Sequence, residues 1–531
     1  MKKISILACV FFALSSNAQT KRPDNWFNLD PTNDKINGVS TERTYSELLK
    51  GKKSTTIIVG VLDSGVDYTH EDLKDIMWTN PGEIAGNGID DDKNGYIDDI
   101  HGWNFMGSKD GKNVEKDNLE LTRVYKTLKT KYDGKSEKDI NSKADKKEFK
   151  YWQVVKADYD KELAQAEAQS NQYKFIKEAI SGVVDKIKKD KGITKVSLED
   201  LKAFDAKDQK DKQGKMIAVA QGNAGMDVEE LLSQLDEAIG AMDGSRLDIN
   251  YDTRSIVGDN YNDMTERYYG NGDCKGPGAF HGTHVAGIIA ASRHNGIGID
   301  GIADNVRIMS VRCVPDGDER DKDIANAIRY AVDNGAVILN MSFGKKYSPG
   351  KKEVDEAVKY AESKGVLIIH AAGNASDDID EIVHYPCKKY ENGKNAPNFV
   401  DIGALSWHAE DEIAAPFSNY GKKTVDFFAP GVDIHSTVPD LNQYKDASGT
   451  SMAAPVVAGV AAVLKSYYPF LTPKQIIKIL TKSSLKNYKD KKVIKPGSKD
   501  EMIEFGELSK TGGIVNLYEA VKMAEELAPK K

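Results

Sequence analysis

A doubly wound, mostly parallel α/β sheet carrying a large helical insertion is the fold this sequence predicts, on three observations. Residues 56–62, 307–311, 337–341 and 366–370 are short, almost continuously apolar runs, the pattern of strands buried on both faces of a sheet. Helical patterns at 323–334 and 353–364 separate the later runs, at the spacing of β-α-β units. Residues 113–241 are rich in Lys, Glu, Asp, Ala and Gln and free of proline. They carry Trp152, Val155, Tyr159, Leu163, Ala166, Tyr173, Ile176, Ile180, Val183 and Ile187 mostly three or four apart, which predicts one long amphipathic helix. A later helix at 228–242 is expected to pack back on it as a hairpin.

The chain opens with Lys2 and Lys3, an apolar stretch at 4–14 and small residues before a cleavage point after Ala18. That is the pattern of a secretory leader, too short to span a membrane. Residues 1–18 are therefore expected to be removed and the protein exported, either to a periplasm or to the medium. No later stretch is long and apolar enough to cross a bilayer. The formal charge is −8 and the pI about 5.8, so there is no basic field to recruit nucleic acid. Loss of the leader leaves Cys274, Cys313 and Cys387, which allows one disulfide and a thiol, or three free thiols. None has the close Cys or His spacing of a zinc site.

Residues 19–54 are mixed and polar, with Trp26, Phe27 and Leu29 as anchors. The strand at 56–62 delivers Asp63 at its carboxyl end, where open α/β sheets carry their chemistry, and Asp63 is suited to orient a base. In the loop from Asp90, side-chain oxygens at the first, third and fifth positions (Asp90, Asp92, Asn94), Gly95 at the sixth and Asp98 at the ninth follow EF-hand spacing, so calcium is expected there. The twelfth position is His101 rather than glutamate, which leaves Asp99 or another geometry to complete the shell. His281-Gly282-Thr283-His284-Val285-Ala286-Gly287 opens a small-residue helix, with His281 on its first turn as the candidate base. Ser451 stands in Gly449-Thr450-Ser451-Met452-Ala453-Ala454-Pro455, just before an apolar run. Its hydroxyl is uncrowded and lies in the positive end of a helix dipole, the setting of a nucleophile. A serine needs a base and the base needs an orienting acid; both are present. Read as metal ligands, His281 and His284 lack a third ligand and a neighbouring glutamate.

Four blocks stand in order: VGVLDSGVD around Asp63, HGTHVAGI around His281, AAGN ending at Asn374, and GTSMAAPVVAG around Ser451. Together they resemble the subtilisin-type serine peptidases, the subtilase family, over residues 54–108 and 250–525. The resemblance implies a subtilisin-like catalytic domain, made here of residues 55–112 and 245–527. Residues 113–244 form an insertion, and 19–54 are too short for the folded pro-domain of many relatives. It further implies a serine endopeptidase acting on protein or peptide substrates through Asp63, His281, Ser451 and an acyl-enzyme, with Asn374 donating to the oxyanion. Ser342, Phe343 and Gly344 would pair with the substrate backbone, and Ala371, Ala372 and Gly373 would leave room for a substrate side chain. Lys345 stands where many relatives have a second glycine. The family also implies structural calcium, held by Asp72, the side chain of Asn295 and the carbonyls of Ile297 and Ile299, and no cofactor in the chemical step. The alternative is a catalytically silent scaffold of the same fold whose helical insertion docks a protein partner.

Overall fold

The computed structural model describes residues 22–529 apart from 242–243 and 408–409; the expected leader at 1–18 lies outside the described residues. The described chain forms two compact units, one of Leu121–Tyr251 and one of Arg22–Glu120 with the chain from Asp252 onward.

In the larger unit, β1 (Ile57–Asp63), β2 (Gly102–Asn104), β3 (Val306–Arg312), β4 (Ala336–Met341), β5 (Leu367–Ala371), β6 (Phe399–Leu405) and β7 (Val425–Pro430) make one sheet. Its order is β2-β3-β1-β4-β5-β6-β7, and every neighbouring pair is parallel. This is the doubly wound sheet the sequence predicts, with β2, β6 and β7 added to the strands it singles out. Val59, Val61, Ile338, Leu367 and Ile369 join a core with Val285, Ile288 and Ile289 of the helix Phe280–Ala290 and Val456 and Val460 of the helix Thr450–Tyr467. Leu62, Leu339, Met341 and Ile368 join a second core with Ile324 and Ile328 of the helix Asp321–Asp333 and Val354 and Val358 of the helix Lys351–Ser363. Successive strand residues serve opposite faces, which is why the runs are apolar throughout instead of alternating. The helix Thr450–Tyr467 is the one described helix long and apolar enough to cross a membrane, and most of it is buried in the first core. An antiparallel hairpin, β8 (Ile434–Val438) with β9 (Gln443–Ala447), leads into it.

The smaller unit is helical. Its longest helix, Lys143–Lys191, has 49 residues and is about 73 Å long at ~1.5 Å per residue. Ser142 caps its start by accepting the Asp145 N–H, and Gly192 ends it in the left-handed conformation. Near the start, Tyr125 stacks on Tyr159 with ring centroids 3.9 Å apart, and Phe149, Trp152 and Val155 are buried. Towards the end, Tyr173, Ile180, Val183, Val184 and Ile187 form a core with Val196, Leu201, Ala218, Val228, Leu231 and Leu235. Between Tyr159 and Tyr173 no residue is buried, so Leu163 and Ala166, expected on the apolar stripe, do not enter a core. The long helix is partnered by Val228–Ala241 and also by Gln209–Asn223. Gly214 is what admits the second partner: a Cβ there would lie 2.3 Å from the Ala179 carbonyl oxygen, so only glycine allows the two backbones this close.

Candidate active site

Asp63 is the last residue of β1 and is 1% exposed. Its Oδ1 accepts hydrogen bonds from the Ser64 N–H and from His281 Nδ1, both at 2.7 Å. His281 is the second residue of its helix, and its side chain is 20% exposed. A carboxylate facing Nδ1 holds the proton there and leaves the Nε2 lone pair outward. Gly282 brings the helix this near: a Cβ at that position would lie 2.2 Å from the Gly65 carbonyl oxygen.

Ser451 is the second residue of the helix Thr450–Tyr467. Pro455 has no N–H to donate to the Ser451 carbonyl four residues back. The Ser342 hydroxyl donates to that carbonyl instead at 3.0 Å, and itself accepts from Asn340 Nδ2 at 2.9 Å. In return, Ser451 Oγ donates to the Ser342 carbonyl at 3.1 Å. Ser342 follows Met341, whose register partner is Leu62, the residue before Asp63. The acid and the serine therefore stand at the same carboxyl edge of two adjacent strands. Among the described residues no hydrogen bond joins Ser451 Oγ to His281.

Asn374 uses its Oδ1 twice, accepting from the Thr450 N–H at 2.8 Å and the Thr450 hydroxyl at 2.9 Å. A backbone N–H can only donate, so this pairing fixes which end of the amide is oxygen. Nδ2 is left without a described partner, beside Gly449. Ala371, Ala372 and Gly373 are held from behind by Asn419, whose Nδ2 donates to the Ala372 carbonyl at 2.8 Å and whose Oδ1 accepts from the Ala375 and Asp377 N–H groups. Thr450, Asn419 and Asn340 support the site without having been singled out in the sequence. Thr450 is adjacent to the serine, whereas nothing local marks Asn340 or Asn419. His384 Nδ1 would lie 3.6 Å from a Cβ at Gly373, and its Nε2 pairs with Asp377 at 2.9 Å. Burial lowers the His384 pKa despite that carboxylate.

His284 is fully buried. Its Nε2 bonds the Lys445 carbonyl at 3.0 Å, and burial pushes its pKa down to about 4. The three cysteines are free thiols, with Cys274 and Cys313 buried.

The residues expected to hold calcium are only partly brought together. Asp72 is buried, which raises its pKa, and it accepts from Asn295 Nδ2 at 2.7 Å and Tyr444 OH at 3.3 Å. Asn295 turns its NH2 towards Asp72 and spends its oxygen on the Ile297 N–H at 3.1 Å. This carboxylate is thus surrounded by donors, a poor fit to a cation as arranged. In the acidic loop, Glu83, Asp90 and Asp92 each offer a carboxylate oxygen, all within 4.8 Å of one another, the oxygen chemistry a hard divalent ion takes; as arranged, these carboxylates also accept N–H groups, Glu83 from Asp91, Asp92 and Asp98, Asp90 from Asn94 and Gly95, and Asp92 from Asn94. Asn94 adjoins the three, its Nδ2 donating to Asp92 at 3.1 Å. Asp98 is drawn elsewhere, its two oxygens accepting from the Gly86 and Gly88 N–H groups at 2.8 and 2.9 Å. Glu83 was not legible in the sequence because it lies upstream of the loop at no fixed offset. Asp99 anchors the loop through Tyr330 OH at 2.6 Å and Asn80 Nδ2 at 2.7 Å, and burial pushes its pKa up to about 6.

The subtilase family model matches residues 54–502. A thermophilic serine proteinase of Bacillus sp. (strain AK1) is 44% identical over 187 residues, covering 35% of this chain and 42% of that protein. Thermitase of Thermoactinomyces vulgaris is 38% identical over 191 residues, covering 35% of this chain and 61% of its own length. A solved protease of Pseudoalteromonas arctica PAMC 21717 aligns with TM-score 0.37 and 30% identity, over 46% of this chain and 70% of that one. Against the first two curated relatives the chain spans half their length or less, 42% and 50%.

Proposed function

Because this chain belongs to the subtilase family, we propose that it is an exported serine endopeptidase, cutting protein or peptide substrates with Ser451 as nucleophile, His281 as general base and Asp63 as orienting acid. The observation that carries the reading is the 2.7 Å bond between His281 Nδ1 and Asp63 Oδ1, at the strand edge that also holds Ser451. A substrate N–H arriving at the Ser342 carbonyl competes for the acceptor that now holds Ser451 Oγ, and the freed hydroxyl turns to His281 Nε2. Proton transfer to Nε2 accompanies attack on the scissile carbonyl. The oxyanion then receives Asn374 Nδ2 and the Ser451 N–H, the imidazolium returns its proton to the leaving amine, and water releases the acyl group by the reverse path.

Calcium enters this proposal as a structural ion. Glu83, Asp90 and Asp92 would hold it, joined by Asn94 only if that amide turned its oxygen to them; Asp72 would do so only if Asn295 presented its oxygen. The ion would fix the loop and take no part in the chemistry. Residues 113–244 are proposed as a helical insertion in a catalytic domain of 55–112 and 245–527, and 1–18 as a leader. Protein recovered outside the cytoplasm and beginning at residue 19 would support export; full-length protein retained inside would count against it.

Covalent capture by a fluorophosphonate probe tests the central claim. Labelling at Ser451 that disappears in Ser451→Ala is the expected result. No labelling of folded protein would favour the silent scaffold, in which the Ser451–Ser342 bond is permanent.

A further inference from the structure

The sheet of the larger unit leaves a slot above β1. That strand stops at Asp63, whose carbonyl accepts the Cys313 N–H at 2.9 Å and the Val314 N–H at 3.2 Å. Its neighbours continue, one wall running on from β3 through Glu319 and the other from β4 through Lys345. On the first wall Asp316 and Asp318 point their backbone groups away from the slot. Asp316 N–H donates to Glu115 at 2.8 Å, Asp117 N–H donates to Asp316 at 3.2 Å, and Asp318 N–H donates to Asn118 at 3.4 Å. On the second wall the Phe343 carbonyl accepts from His370 Nε2 at 2.9 Å, and Lys345 and Tyr385 exchange two backbone bonds of 2.8 Å. Alternate residues of an extended chain face opposite sides, so Gly317 and Gly344 turn their N–H and C=O groups into the slot. Among the described residues neither glycine spends them. Unspent backbone groups on two facing walls take an extended peptide as an added strand.

One end of the slot is barred. From the second wall, Lys345 Nζ reaches across to the Glu319 carbonyl at 2.7 Å, the next slot-facing group after Gly317. It is held there by Glu120 and Asp321, each with a carboxylate oxygen at 2.8 Å. The Lys345 side chain is 1% exposed, and Asp321 is itself fixed by the Ser348 hydroxyl at 2.9 Å and the Gly350 N–H at 2.7 Å. The bar is therefore a buried ion cluster and no loose surface lysine.

We propose that Lys345 determines specificity by ending the slot, so that substrate is gripped over only about three residues on the acyl side of the scissile bond, the reach from Ser342 to Gly344 at ~3.3 Å per residue. The inference rests on the peptidase reading. Longer substrates must leave the slot at Lys345 and gain nothing from a fourth residue.

Capped peptide anilides with two, three, four and five residues before the cleaved bond measure this in the wild-type protein. The ratio kcat/KM is expected to rise about tenfold from two to three residues and then stay within about twofold. A rise of about tenfold from three to four or five residues would overturn the role of Lys345. The double variant Lys345→Gly with Glu120→Gln removes the bar together with one of the carboxylates it would leave unpaired. If folded, it should gain about tenfold from the fourth residue, and no gain would count against the proposal. Fluorophosphonate labelling of the same samples separates the two claims. Labelled enzyme whose rate climbs with length sinks only the bar, whereas an unlabelled Ser451 sinks the peptidase reading and this inference with it.

Discussion

Asn374 illustrates how a neighbour sets the function of an amide. Its oxygen is committed to Thr450 twice, so the NH2 is the end left free for the oxyanion role proposed above. Asn374→Ala should lower kcat by about 10²–10³ with little change in KM, because the donor is used most in the transition state. Steady-state kinetics on a peptide anilide checks this, and an equal rise in KM at constant kcat would contradict it. His284 carries a different prediction. Its folded pKa of about 4 lies below the usual value of 6.5, so the unfolded chain takes up a proton first as the pH falls. The stability it supports is present above pH ~6.5 and is lost progressively towards pH ~4, by up to about 3 kcal/mol. His284→Gln should flatten the melting temperature across that window, and an unchanged pH profile would show that another group dominates.

At the scale of elements, the strands around the site were readable because parallel strands buried on both faces are apolar at every position. Asp63, His281, Asn374 and Ser451 were readable for a related reason: close approaches force small residues around them, and small residues are conspicuous. The helix Gln209–Asn223 was missed because the glycine that lets it nestle against Ala179 interrupts its own apolar pattern. Gly214→Ala tests that account. In an isolated helix it should stabilise by up to about 1 kcal/mol, but here it should destabilise the helical unit by about 1–3 kcal/mol, as read by chemical denaturation. The long helix Lys143–Lys191 has a second expectation. None of residues 160–172 is buried, so their amides should exchange with deuterium faster than those at 173–187. In the acidic loop the spacing points to Asp90, Asp92, Asn94 and Asp98, whereas the folded loop sets Glu83 beside Asp90 and Asp92 and bonds Asp98 to the Gly86 and Gly88 N–H groups, an arrangement no linear pattern encodes. If the loop binds calcium, excess EGTA should lower the melting temperature; an unchanged value would remove calcium from the proposal.

For the whole molecule, the larger unit has two cores on either side of its sheet and the smaller has a core of its own. Scanning calorimetry should resolve two transitions, with fluorophosphonate reactivity lost in the one that belongs to the sheet; a single transition with equal calorimetric and van't Hoff enthalpies would show one cooperative unit. The order of the segments in the chain has a further consequence. Asp63 is made early, His281 near the middle, and Ser451 sits on a late helix packed in the first core. A ribosome therefore synthesises most of the polypeptide before Ser451 is added, and Ser451 takes its position only when its helix packs into the first core.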